Sequence, residues 1–235
     1  MMKKNRRKDM PLSPKDLAKY IDHTYLKSEG SDDEVKRMCQ EAIKYGFKTV
    51  CIQPNKLPLA VELLKNKDPL PITVVGFPTG KEKTKEKVLL TEKCIKEGAE
   101  EIDMVINYEE LKKKNYSLVY DDIFSIVQAA NQKPVKVIIE TCYLSIEEKI
   151  IACAISKAAG AAFVKTSTGM GPKGATKDDV LLIRKIVGDD MSIKASGGIK
   201  SYDDAITMVE AGANRLGTSA SIEIIEGSED FSNNY

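Results

Sequence analysis

Lys165 and Lys194 are the residues of this chain best suited to do chemistry. Each interrupts a short apolar, strand-forming run that ends in glycine: Ala162-Phe163-Val164-Lys165-Thr166-Ser167-Thr168-Gly169 and Ser192-Ile193-Lys194-Ala195-Ser196-Gly197-Gly198. An ammonium on a buried strand is costly, so such a lysine reaches solvent, pairs with a carboxylate or loses its proton. If the two strands are neighbours, each cation disfavours the charge on the other. A desolvated lysine beside a second cation has a lowered pKa and attacks carbonyls as a Schiff-base former.

Other ionisable residues also break apolar strands: Asp22, Asp103 in Ile102-Asp103-Met104-Val105, and Lys136 and Glu140 in Val135-Lys136-Val137-Ile138-Ile139-Glu140. A purely structural charge network would account for any one of them; the whole set is better explained as a site. The single histidine, His23, argues against the two- or three-histidine zinc sites and against a Ser-His-Asp relay, and it reads best as a hydrogen-bonded structural imidazole. No metal is expected.

The elements that position these residues follow from hydrophobic periodicity. Strand-like runs fall at 21–26, 48–53, 72–77, 101–107, 135–141, 161–168, 191–196 and 214–218, with amphipathic stretches at 31–45, 57–65, 83–97, 118–131, 146–159, 177–187 and 202–211 between them. Several of these stretches end at a glycine, among them Gly46, Gly98, Gly160, Gly188 and Gly212, as helix C-caps do. Eight apolar strands alternating with helices in 235 residues predict an α/β fold, a single (β/α)8 TIM barrel, with a doubly wound sheet as the alternative. Residues 11–226 form the expected barrel domain, 1–10 a basic disordered leader and 227–235 a flexible tail.

In a barrel the active site lies at the C-terminal ends of the strands, where all six ionisable residues are expected. Phosphate is commonly held by the loops after the seventh and eighth strands, here Gly197-Gly198 and Gly217-Thr218-Ser219-Ala220-Ser221. A net charge of +1 argues against a nucleic-acid partner. Five cysteines without a C-x-x-C pair suit a reducing compartment, and no run is apolar enough for a membrane span. A cytoplasmic enzyme with no membrane partner is expected.

The motifs Phe163-Val164-Lys165-Thr166-Ser167-Thr168-Gly169, Lys194-Ala195-Ser196-Gly197-Gly198-Ile199, Glu101-Ile102-Asp103-Met104-Val105-Ile106-Asn107, Asp22-His23-Thr24 and Gly217-Thr218-Ser219 together resemble the deoxyribose-phosphate aldolase family. That resemblance implies a class I aldolase, without metal or organic cofactor, that reversibly cleaves 2-deoxy-D-ribose 5-phosphate to acetaldehyde and D-glyceraldehyde 3-phosphate. It implies Lys165 as the Schiff-base lysine, Lys194 as the lysine that perturbs it and Asp103 as the proton relay. It also implies Asp22, Thr166, Gly174, Gly197, Gly198, Gly217 and Ser219 as substrate or phosphate contacts, and the terminal Tyr235 as a phenol brought to the enamine. A homodimer or higher homo-oligomer is compatible with it. Two other readings stay open on the residues alone: another phosphate-handling barrel enzyme, such as an isomerase or synthase, and a non-catalytic phosphate-ligand binder.

Overall fold

The computed structural model describes residues 12–227. Its sheet consists of β1 (Ile21–Tyr25), β2 (Thr49–Ile52), β3 (Leu70–Val75), β4 (Glu101–Val105), β5 (Val135–Ile138), β6 (Phe163–Lys165), β7 (Ser192–Ser196) and β8 (Arg215–Thr218). All neighbours pair in parallel and in sequence order, and β8 returns to β1, closing the (β/α)8 barrel. The helices are α1 (Pro14–Ala18), α2 (Asp32–Tyr45), α3 (Leu57–Leu63), α4 (Thr84–Lys96), α5 (Tyr108–Lys112), α6 (Tyr116–Ala129), α7 (Ile146–Ala158), α8 (Lys177–Val187), α9 (Tyr202–Glu210) and α10 (Ser221–Glu226). The expected leader and the last eight residues of the tail, Tyr235 among them, lie outside the described residues.

Local sequence explains where helices begin and end. Ser31 caps α2 by accepting from Glu34 N, the Ser31 N–H donates in turn to the Glu34 carboxylate, and Gly46 ends the helix at φ 70°. Loss of such a cap costs about 1 kcal/mol. Val35, Met38, Cys39 and Ala42, at helical spacing, form the face of α2 that packs on the sheet. The short α5 departs from expectation, because five residues give no periodic signal; Asn107 ends the β4 run and caps α5 by accepting from Glu110 N.

Two environments result. The main apolar core lies between the strands and the helix layer. Inside the barrel, Leu26, Cys51, Ile72 and Val74 form a small apolar cluster along β1 to β3. The remaining arc of the interior is ionic.

Candidate active site

Side chains alternate across a strand, so Glu101 and Asp103 share the inner face of β4. The register sets Asp103 beside Lys136, Lys165 beside Lys194, and Lys194 beside Arg215. These side chains close into a ring of ion pairs. Asp103 Oδ2 is 2.7 Å from both Lys165 Nζ and Lys194 Nζ, and Oδ1 is 2.7 Å from Lys136 Nζ. Lys194 reaches Asp22 Oδ2 at 2.5 Å, Asp22 pairs with Arg215, Arg215 meets Glu101 Oε1 at 2.7 Å, and Glu101 Oε2 returns to Lys136 at 2.6 Å. All seven residues are buried. The centroid of the Phe163 ring lies 5.7 Å from Lys136 Nζ and 5.6 Å from the Arg215 guanidinium carbon.

Charge counting decides which member is unsettled. Lys136, Lys165, Lys194 and Arg215 face only Asp22, Glu101 and Asp103, so one positive charge is in excess when all are ionised. Burying an unpaired cation costs several kcal/mol. Deprotonating an ordinary lysine at pH 7 costs about 4–5 kcal/mol, from the distance between pH and its pKa. These are comparable, so local contacts settle the outcome. Lys165 meets one carboxylate oxygen, whereas Lys136 and Lys194 each bridge two carboxylates.

The pKa directions agree with that count. Burial lowers Lys165, the Lys194 ammonium lowers it further, and the single Asp103 contact does not restore it. Burial also acts on Lys194 and Lys136, but Asp103 together with Asp22 or Glu101 holds both above the ordinary lysine value. Burial alone would raise the Asp22 carboxyl, yet Lys194, Lys136 and Arg215 bring it down to about 2. Asp103 is likewise held well below the carboxylate range, against burial, by Lys136, Lys165 and Lys194.

Of the seven, Lys165 alone lines the cavity at the barrel mouth, a space of about 570 Å³ bounded by residues at the ends of β1, β6, β7 and β8 and in the segments that follow them. Gly197, Gly198, Gly217 and Ser219 line it as well. Thr166, Gly174 and Asp22 lie outside that lining. Thr166 is buried, its hydroxyl accepting from Ser196 N at 3.1 Å. Gly174 backs the cavity wall, where a Cβ would sit 2.0 Å from Gly197 O. Asp22 is buried in the ring beneath. At Gly217 a Cβ would stand 2.8 Å from Lys194 Cε, so this residue leaves room for the second lysine.

The expectation that the polar interruptions all sit at strand C-terminal ends needs correction. Lys136 and Asp22 are second in their strands, and the ring continues down to Glu101 and Arg215, each first in its strand. Barrel interiors are filled in layers, and this ionic layer extends below the cavity. Glu101, Arg215 and the cavity-lining Lys27 and Lys200 were not singled out from sequence. Glu101 was within reach, because it precedes Asp103 by two and must share its face. Glu140 stands apart: at φ 52° its carboxylate accepts from Thr168 N at 3.1 Å and from the Thr168 hydroxyl, holding the loop after Lys165. His23 points outward, with Nε2 2.8 Å from Glu41 Oε2 and Nδ1 2.7 Å from Ser221 Oγ.

A closed parallel barrel whose mouth cavity ends on one desolvated amine, with a carboxylate beside it, is the arrangement of a barrel aldolase. Within that class the family described as DeoC/LacD family aldolase matches residues 17–224, and the chain belongs to this family. It is 54% identical over 213 residues to the deoxyribose-phosphate aldolase of Caldanaerobacter subterraneus, covering 89% of this chain and 92% of that one. It is 51% identical over 219 residues to the enzyme of the same name from Thermococcus gammatolerans, covering 92% and 97%. Among solved structures, deoxyribose phosphate aldolase from Aeropyrum pernix, described as a tetramer, superposes with a TM-score of 0.85 at 32% identity, covering 91% of each chain. An aldolase named QR15 gives 0.87 at 37% identity, covering 93% of this chain and 97% of the other.

Proposed function

We propose that this chain is a class I deoxyribose-phosphate aldolase that forms a Schiff base at Lys165. The observation that carries the reading is that Lys165 is the one cavity-lining member of an ion-pair ring with one cation in excess. The neutral Lys165 amine attacks the C1 carbonyl of open-chain 2-deoxy-D-ribose 5-phosphate, and the adduct takes up one proton and loses water to give an iminium. Loss of the C3 hydroxyl proton turns C3 into the aldehyde of D-glyceraldehyde 3-phosphate as the C2–C3 bond breaks. The bond's electrons pass to the C1–C2–N unit as an enamine. Protonation at C2 and hydrolysis of the resulting iminium release acetaldehyde and restore the amine.

Asp103 is a carboxylate at rest, so it serves as counter-ion to the iminium and as proton acceptor, 2.7 Å from the lysine nitrogen. Lys194 holds that carboxylate and keeps Lys165 from being the preferred ammonium. Gly197, Gly198, Gly217 and Ser219 form the phosphate end, where glycine turns present backbone N–H groups, and Lys27 and Lys200 line the same cavity. No helix of the described residues is long and apolar enough to cross a membrane. The tetramer described for the Aeropyrum pernix relative supports a homo-oligomer here.

Turnover is the test. Incubation with 2-deoxy-D-ribose 5-phosphate should release equal amounts of acetaldehyde and D-glyceraldehyde 3-phosphate, and the same pair should condense in reverse. Absence of both reactions in the folded protein would overturn the assignment.

A further inference from the structure

We propose that Arg215 and Glu101, at the bottom of the barrel and away from the cavity, are positioning residues that set the charge state of Lys165 through the closed ion-pair ring. The inference rests on the reading of Lys165 as the imine-forming amine and adds to it a control remote from the substrate.

Arg215 reaches Lys165 only through others: it pairs with Asp22, Asp22 with Lys194, and Lys194 shares Asp103 Oδ2 with Lys165. On the other side it meets Glu101, which leads through Lys136 to the second oxygen of Asp103. Both arms end on the carboxylate that holds the reactive amine. A seven-membered set of buried charges exchanges little with solvent, so its net charge is a property of the whole set.

The surroundings leave few other ways to adjust that charge. Facing the ring from β1 is Asp22, from β4 Glu101 and Asp103, from β5 Lys136, from β6 Lys165, from β7 Lys194 and from β8 Arg215. The β2 strand offers Thr49 and the Cys51 thiol, which burial pushes up to about 11 and so keeps neutral. The β3 strand offers the apolar Ile72 and Val74. Arg215 cannot give up its proton, being guanidinium, and Lys136 and Lys194 each sit between two carboxylates. The excess therefore falls on Lys165. Without the Arg215 charge, three lysines would balance three carboxylates, and Lys165 would keep its proton. Without both Arg215 and Glu101, three cations would again face two carboxylates; Lys136 would still hold Asp103 Oδ1 alone while Lys165 shares Oδ2 with Lys194, so the excess of one would return to Lys165.

The experiment measures the rate of borohydride trapping with acetaldehyde as a function of pH in wild type, Arg215→Lys, Arg215→Gln and the double variant Arg215→Gln with Glu101→Gln. Glutamine retains hydrogen-bond donors toward Asp22 and Glu101, and thermal melting checks that each variant is folded. The pH limb for imine formation should stay in place in Arg215→Lys and move alkaline by about one unit or more in Arg215→Gln, with at least about a tenfold loss at neutral pH that is recovered at higher pH. It should return toward wild type in the double variant, which a merely structural role for Arg215 would not produce. An unmoved limb in folded Arg215→Gln, or a double variant no better than the single, overturns the proposal while leaving Lys165 labelled. Absence of label at Lys165 in wild type would instead overturn the underlying reading. If Arg215→Gln does not fold, the double variant decides alone: a wild-type limb supports the charge balance, and an alkaline one refutes it.

Discussion

Lys165 and Lys194 are register partners on β6 and β7, and their nitrogens lie at the same distance, 2.7 Å, from one oxygen of Asp103. Two ammonium groups sharing one carboxylate oxygen repel each other, so each makes the other easier to deprotonate. Lys194 has Asp22 as a second anchor and Lys165 has none, which makes Lys165, on the cavity side, the easier of the two to deprotonate. Replacing Lys194 by leucine should move the imine-forming limb alkaline and reduce turnover by about 100-fold or more at neutral pH. A pH–rate profile identical to wild type would remove Lys194 from the account.

Acid sensitivity follows from the carboxylates. The folded pKa of Asp22, about 2, and that of Asp103 lie below the unfolded aspartate value near 3.9. Groups depressed on folding stabilise fully above the unfolded value, and that stability is lost as pH falls through the folded one. Denaturant midpoints should therefore drop between about pH 4 and pH 2, and Asp22→Asn should flatten that drop. A midpoint independent of pH across the window would contradict it.

A second buried ion pair lies in the helix layer. Lys87 Nζ is 2.7 Å from Asp122 Oδ2 and donates to Val105 O at 3.1 Å, joining α4, α6 and the end of β4. Lys87→Met would leave Asp122 buried and unpaired, at a cost of about 3–5 kcal/mol in unfolding free energy. Adding Asp122→Leu should recover much of the loss. Urea titration of the single and double variants checks both.

The proposed phosphate end is separable from the amine. Lys200 and Ser219 line the cavity alongside Gly197 and Gly198. Lys200→Ala should raise KM for deoxyribose 5-phosphate about tenfold with kcat little changed, and should have a much smaller effect on unphosphorylated deoxyribose. Equal effects on the two substrates would move the phosphate elsewhere.

The fold was legible because each strand is a short apolar run closed by polar or glycine residues, and α8 begins and ends where its periodicity does, at Lys177 and Val187. Lys165 and Lys194 were legible because a lysine within an apolar strand is rare and two are rarer. Arg215 was not, since it stands first in β8 directly after the exposed Asn214 and reads as the polar edge of a loop. Only barrel closure, which brings β8 back to β1, puts it beside Asp22. Glu140 escaped assignment because its left-handed backbone and its bonds to Thr168 depend on a neighbouring strand's loop.

Lys165 is proposed as the nucleophile because the ring's unpaired excess charge falls on it. Reducing the protein with borohydride in the presence of acetaldehyde and sequencing its peptides by mass spectrometry tests it directly. One added ethyl group per chain is expected, on the peptide containing Lys165 and absent from Lys165→Met. An ethyl group on Lys194 instead, or labelling that survives Lys165→Met, would contradict it.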